Sequence, residues 1–181
     1  GYVIAEGYAY VPTRSGSPYV GITQSKGPVL DDILSVIDEL GLSYGEYSDP
    51  RKPQVVTLHI HGGRDFVRRV QEDSGSGARN KRIPRWLMEH SDLQVLDSLW
   101  SALWAGDGSM AGGSQVYSTV SEGLASDVQE LLIRIGKASS VTFHGRDGAR
   151  HYRVRVLQNG IIGSKPTARS WEPYNGLVWC V

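Results

Sequence analysis

Residues 1–7 read GYVIAEG, and residues 100–108 read WSALWAGDG. Each is an apolar, small-residue run that delivers one carboxylate, Glu6 or Asp107, straight into a glycine. Gly1 and Ala5 stand four apart, as do Ala102 and Gly106, so on a helix each pair shares a face and lets a second backbone approach closely. Two such helices packed side by side would bring Glu6 and Asp107 out together at their C-terminal ends. There the carboxylates repel one another and oppose the negative helix terminus, so something cationic must compensate. Hard oxygen donors favour Mg²⁺ or Ca²⁺, with water, backbone carbonyls or a phosphate filling the remaining positions. A single acid at a helix end is ordinarily a solvated residue, and it is the recurrence that gives this pair its weight.

Working outward, an internal duplication follows. ITQSKGPVLDDILSVIDELG (22–41) lies over STVSEGLASDVQELLIRIG (118–136) with Pro28 as the one extra residue. Ser25 then meets Ser121, Gln24 meets Val120, Asp32 meets Asp127, and Gly41 meets Gly136. Both segments carry i, i+3, i+4, i+7 apolar spacing with a C-terminal glycine, which predicts amphipathic helices. YAYVPTR and SPYVGITQ, joined by Ser15-Gly16, read as a hairpin, and SYGEY (43–47) with QVVTLHIH (54–61) as another strand pair. SQVYSTV (114–120), then SSVTFHG (139–145) and RHYRVRVL (150–157) around the turn RDG, echo this in the second half. A further helix is expected at RDFVRRVQE (64–72) and at TARSWEPY (167–174). The fold class is therefore α+β, two pseudo-symmetric αββαββα repeats. Residues 1–91 form the first, including a basic glycine-rich bridge at 74–85, and residues 92–175 form the second.

Composition bounds the rest. The 181 residues suit one domain or two fused halves, and no run of eighteen apolar residues or signal-like start is present, so an intracellular, cytoplasmic protein without membrane association is expected. The single cysteine, Cys180, excludes an internal disulfide. Basic and acidic residues balance at nineteen each, but 31–50 holds six acids and no Lys or Arg, whereas Arg146, Arg150, Arg153, Arg155, Lys165 and Arg169 crowd 146–169. This fits a basic face with an acidic back, or simply two solvated surfaces.

On the two glycine-terminated acid runs and the repeated strand-helix pattern, the sequence resembles the single-chain LAGLIDADG homing endonucleases carried in inteins. GYVIAEG matches the last seven positions of that nonapeptide and WSALWAGDG the whole of it loosely. ARNKRIPRWL (78–87) resembles the segment preceding the second nonapeptide, and SDVQELLIRIG (126–136) the helix that follows. The resemblance implies a saddle of two sheets on double-stranded DNA, an asymmetric target, a monomer, and metal-dependent phosphodiester hydrolysis leaving short 3′ overhangs. It assigns Glu6 and Asp107 as metal-binding catalytic acids, with Mg²⁺ as cofactor, Ca²⁺ able to substitute for binding and Mn²⁺ for cleavage. Lys81, in KRIP, would reach the active site, Gln24 would order water near the metal, and Lys165 would be the mate of Lys81. NGLVWCV resembles the strand with which an intein splicing domain resumes at 176–181, although no splicing residues are present. A maturase-like or catalytically inactive nucleic-acid-binding protein of the same fold is the alternative.

Strand alternation then selects DNA-facing residues. In the first half these are Tyr8, Tyr10, Arg14, Ser17, Tyr19 and Thr23; in the second, Gln115, Tyr117 and Thr119 by alignment, with Arg146, Arg150 and Arg153 in or beside the later hairpin. The tyrosines could equally serve cross-strand packing. His59 and His61 alternate on one strand without a third metal ligand, and Trp86, Trp100 and Trp104 read as core or interface filler.

Overall fold

The computed structural model describes residues 1–146 and 149–158. Helix α1 (Tyr2–Glu6) runs into β1 (Gly7–Tyr10), followed by β2 (Tyr19–Ser25), α2 (Pro28–Glu39), β3 (Ser43–Tyr47), β4 (Val55–His61) and α3 (Gly63–Ser74). A 3-10 turn at Ala78–Asn80 and the short α4 (Arg85–Met88) lead to α5 (Leu93–Asp107). The pattern then repeats as β5 (Gly108–Ala111), β6 (Ser114–Thr119), α6 (Glu122–Arg134), β7 (Ser139–Arg146) and β8 (Ala149–Val156). Each half holds an antiparallel four-stranded sheet, in the orders β1-β2-β4-β3 and β5-β6-β8-β7. The expected α+β duplication is present. The expected helix at 167–174, the turn at 147–148, Lys165, Cys180 and the 176–181 strand lie outside the described residues.

Local chemistry explains the boundaries. Pro12 and Pro18 cannot donate to a ladder, so the first hairpin is shorter than its apolar pattern suggests and residues 11–18 form its loop. Its counterpart turns at Gly112-Gly113, where φ is +57° and +76°, the positive pair that a two-residue type I′ turn requires. Helices α2 and α6 both end in left-handed glycines, Gly41 and Gly136, with the following amide returning to the carbonyl five residues back: Leu42 to Ile37 at 3.1 Å and Lys137 to Leu132 at 2.7 Å.

Two apolar cores result. Val20, Ile22, Leu30, Ile33, Leu58 and Val67 centre the first, and Leu99, Trp100, Leu103, Tyr117, Val128 and Leu132 the second. Helix α1 belongs to both, because Tyr2 and Val3 pack on the first core while Ile4 and Ala5 enter the second. The two cores thus meet across the side chains of a single turn. Trp86 departs from its expected role: α4 buries Met88, leaving the indole exposed, with Nε1 donating to Asp73 at 3.2 Å.

Candidate active site

Helices α1 and α5 pack face to face, and the small residues decide how closely. A Cβ placed on Gly106 would fall 2.6 Å from the Ala5 Cβ and 3.2 Å from the Glu6 Cγ, while one on Gly1 would overlap Ala102. Counting back from the acids, Gly1 is the counterpart of Ala102 and Ala5 of Gly106. Each small residue therefore meets its own equivalent, as contacts lying on a twofold axis must.

The glycines behind the acids have a different purpose. Gly7 and Gly108 are extended, with φ of −90° and −87°, so no positive φ requires them. Instead their amides donate to Val3 and Trp104 as the chain turns off each helix, and a Gly7 Cβ would lie 2.6 Å from the Val3 carbonyl oxygen. The sharp exit leaves Glu6 and Asp107 at adjacent helix ends. Burial first, then the charge of Asp107, raises the Glu6 carboxyl above its ordinary range, and Lys81 opposes both. Burial likewise raises Asp107, against the pull of Lys81 and the Tyr117 hydroxyl.

Lys81 reaches this point from the bridge between halves. Its ammonium donates to the Ala5 carbonyl, and burial holds it below its usual value while Asp107 and Glu6 pull it back up. The bridge is pinned to α6 at the lysine's own carbonyl and at the two residues that follow it. Ser121 Oγ donates to the Lys81 carbonyl at 2.8 Å and accepts from Leu124 N, capping the helix. Asp127, on the next turn, accepts from Arg82 Nε at 2.7 Å, Arg82 Nη2 at 2.9 Å and the Ile83 amide at 2.9 Å. Sequence reasoning did not single out Ser121 or Asp127 for this role.

Gln24 is the penultimate residue of β2, on the helix side, two residues past Ile22, the partner of Gly7. The ladder with β4 continues unbulged to Ser25, and Gln24 Oε1 accepts from the Ser25 amide at 2.8 Å. No described hydrogen bond links it to either acid.

The second-half surface assignments need correction. Gly7 pairs with Ile22 and Gly108 with Tyr117, while Ile22 pairs with Leu58 and Tyr117 with Val154. Tyr117 is therefore the equivalent of Ile22, and the spacing from β2 through α2 carries no extra residue at Pro28. That slip of one turns the strand over. Tyr117 and Thr119 are buried, and Gln115 lines a helix-side cleft with Trp100 and Trp104, so none of the three is on the outer face. Gln24 accordingly corresponds to Thr119, not Val120. The outer face instead shows Val116 and Ser118 beside Thr142, His144, Arg153 and Arg155. In the first half Tyr8, Tyr10, Tyr19 and Thr23 share the outer face, whereas Arg14 and Ser17 are exposed in the loop. Arg146 and Arg150 are placed by register alone, opposite Ala149 and Gly145.

The corrected register also moves Tyr117 from the expected DNA-facing role to one at the acids. The Tyr117 hydroxyl is buried without a hydrogen bond of strict geometry and faces Asp107; burial and then the two carboxylates push the phenol above its normal range. An ungapped repeat alignment, which sets a tyrosine at a core position, would have pointed to it.

The LAGLIDADG-like domain family model matches twice, at residues 1–72 and 94–165, and the chain belongs to that family. Among solved structures it is similar to mesophilic variants of the homing endonuclease I-DmoI, with a TM-score of 0.62, 11% identity, and coverage of 87% of this chain and 84% of that one. I-DmoI in complex with DNA and Ca gives 0.63 at 11% identity, covering 87% and 79%. The N-terminal LAGLIDADG domain of DUF199/WhiA gives 0.53 at 10% identity, covering 84% and 70%. No curated protein matches the chain. Among the described residues no helix is long and apolar enough to cross a membrane.

Proposed function

We propose that this chain is a metal-dependent endonuclease that cuts both strands of duplex DNA. One observation carries the reading: counterpart helix ends deliver two acids with raised pKa values to a common point, and a half-buried lysine stands beside them. Among the described residues no third His, Cys, Asp or Glu joins the pair in a metal cluster. Two hard carboxylates with open remaining positions nevertheless fit Mg²⁺, which keeps several waters and takes substrate phosphates as ligands. Glu6 and Asp107 would hold it, and when bound it supplies a water of lowered pKa and offsets charge on the phosphate.

The chain's own groups account for the rest. Lys81 is positioned to donate to a phosphate oxygen or to the attacking water's neighbourhood, its ammonium placed by one hydrogen bond to the Ala5 carbonyl that leaves its other N–H groups to the substrate. Tyr117, whose hydroxyl interacts with Asp107, orients that carboxylate. Gln24 orders solvent through its amide nitrogen, since its oxygen already accepts from the Ser25 amide. The repeats 1–91 and 92–175 each cover one half-site, so one chain acts as a monomer on a long asymmetric target and leaves short 3′ overhangs. DNA contacts come from Tyr8, Tyr10, Tyr19, Thr23 and Arg153, with Arg14 and Ser17 from the loop. The intein origin rests on the quoted motifs.

The test is cleavage of a randomised duplex pool with Mg²⁺ or EDTA, followed by sequencing of the ends. Glu6→Gln and Asp107→Asn should each abolish cutting while retaining binding. Duplex binding that never leads to metal-dependent cleavage would leave a DNA-binding protein without nuclease activity and overturn the reading.

A further inference from the structure

The outer faces of the two sheets differ in chemistry. On the first, rings cross all four strands: Tyr8 and Tyr10 lie 6.0 and 5.1 Å from Tyr19, Tyr19 stacks on His59 at 3.8 Å and 14°, and His59 meets Tyr47 at 4.3 Å. Tyr8, Tyr10 and Tyr47 are exposed, and the Tyr8 ring covers Gly21, where a Cβ would collide with it. Register places Thr23 opposite Thr57, Gly21 opposite His59 and Gly45 opposite His59 on this same face. No Asp, Glu, Lys or Arg stands among the strand residues that share it. The cations nearest this sheet in sequence, Arg14, Lys26, Arg51 and Lys52, sit in its connecting loops, while Arg64, Arg68 and Arg69 lie on α3.

Among the described residues the second outer face has no such ridge. Arg153 and Arg155 stand on β8 beside Ser118, Thr142 and His144, lining a cleft of about 340 Å³. Arg155 Nη1 donates to the Ala111 carbonyl at 3.1 Å, while the Arg153 carbonyl accepts from Thr142 Oγ1 and its guanidinium makes no hydrogen bond or ion pair among the described residues.

Resting on the duplex-DNA reading, we propose that the two sheets read opposite base chemistry: the aromatic ridge Tyr8, Tyr10, Tyr19, His59 and Tyr47 takes an A·T-rich half-site, and Arg153 with Arg155 takes a guanine-bearing one. An arginine fork is matched to guanine O6 and N7 in the major groove, and an apolar ring surface to the thymine methyl. A floor without cations offers guanine no such fork. Burial, with His61 nearby, keeps His59 below its usual pKa, so its imidazole enters the groove neutral and adds no guanine-seeking charge. Phosphate contacts in the first half fall to the loops, which position the duplex and carry no base preference.

The experiment is selection of bound duplexes from a randomised pool by the full chain in EDTA, repeated with variants. The wild type should return sites whose two halves differ in guanine content. Arg153→Ala or Arg155→Ala should weaken the selected site roughly tenfold to a hundredfold and flatten the preference in the guanine half alone. Tyr19→Ser and His59→Ala should flatten it in the other half and leave the salt dependence of binding unchanged. Tyr19→Phe and His59→Gln keep ring or shape and guard against misfolding, which circular dichroism reports. Equal guanine content in both halves, or relaxation of the same half by both variant sets, overturns the proposal with the duplex reading intact. Failure to retain any duplex overturns that reading and this one together.

Discussion

Replacing Asp127 by alanine separates two contributions that its hydrogen bonds combine. Asp127 is 3% exposed, and Arg82 and the Ile83 amide converge on it through three bonds of 2.7–2.9 Å. On its removal the Arg82 guanidinium, on a side chain 54% exposed, turns to water, so losing that pair costs no more than about 1 kcal/mol. The Ile83 amide is buried and has nowhere to turn, which costs about 1–3 kcal/mol. Asp127→Ala should therefore destabilise by roughly 1–4 kcal/mol from the sum. Arg82→Ala leaves a buried carboxylate with one donor, the arrangement for which about 3–5 kcal/mol is typical. The more exposed partner should thus be the more damaging one to delete. Urea unfolding followed by tryptophan fluorescence checks this through the midpoints at equal slope. The reverse order, or losses under about 0.5 kcal/mol for both, would refute the reasoning.

Further outcomes follow from the same geometry. Gly106→Ala should destabilise by about 1–3 kcal/mol through overpacking against Ala5. Ala5→Gly in the same chain should restore most of it, since counterparts merely exchange places, and thermal melts of the single and double variants decide. Glu6 and Asp107 have folded pKa values above their ordinary ones, so the folded chain binds protons more tightly and, without metal, loses stability as pH rises from the ordinary carboxylate values through the raised ones. Glu6→Gln should then raise the metal-free melting temperature at pH 7 and weaken its pH dependence, and a lowered melting temperature would contradict the repulsion. Millimolar Mg²⁺ should raise the melting temperature of the native chain, by about 2.7 kcal/mol of stability at a hundredfold excess over Kd. That rise should vanish in the Glu6→Gln/Asp107→Asn double variant.

Much of the fold was legible because helices and strands announce themselves by period, and the acid–glycine pairs by recurrence. The bridge to the site was less so. KRIP marked Lys81, but Ser121 and Asp127, which hold its chain segment, act across 40 and 45 residues of sequence. Nothing local signals such a contact. The error at Pro28 shows a different limit: apolar helix positions aligned correctly, while the serines Ser25 and Ser121 were matched by identity rather than by register. Because alternation has a period of two, one false gap moved Gln115, Tyr117 and Thr119 to the wrong face at once.

Duplication explains the scaffold, and divergence at equivalent positions explains what the scaffold can do. With the corrected register, Ser121 corresponds to Lys26 and Asp127 to Asp32. Ser121 and Asp127 grip the bridge that carries Lys81. Asp32 instead accepts from the Tyr2 hydroxyl at 2.5 Å, tying α2 to α1, and the phenol is pushed up to about 12 by burial and that carboxylate. Likewise Ile22 fills its core, whereas Tyr117 brings a hydroxyl to Asp107 from the same ladder position. The helix pair tolerates only small residues at its contacts and so stays symmetric. The layer around it is under no such steric demand, and there the two acids acquire unlike neighbours: the phenol belongs to Asp107 alone, so the two carboxylates should titrate as an unequal pair.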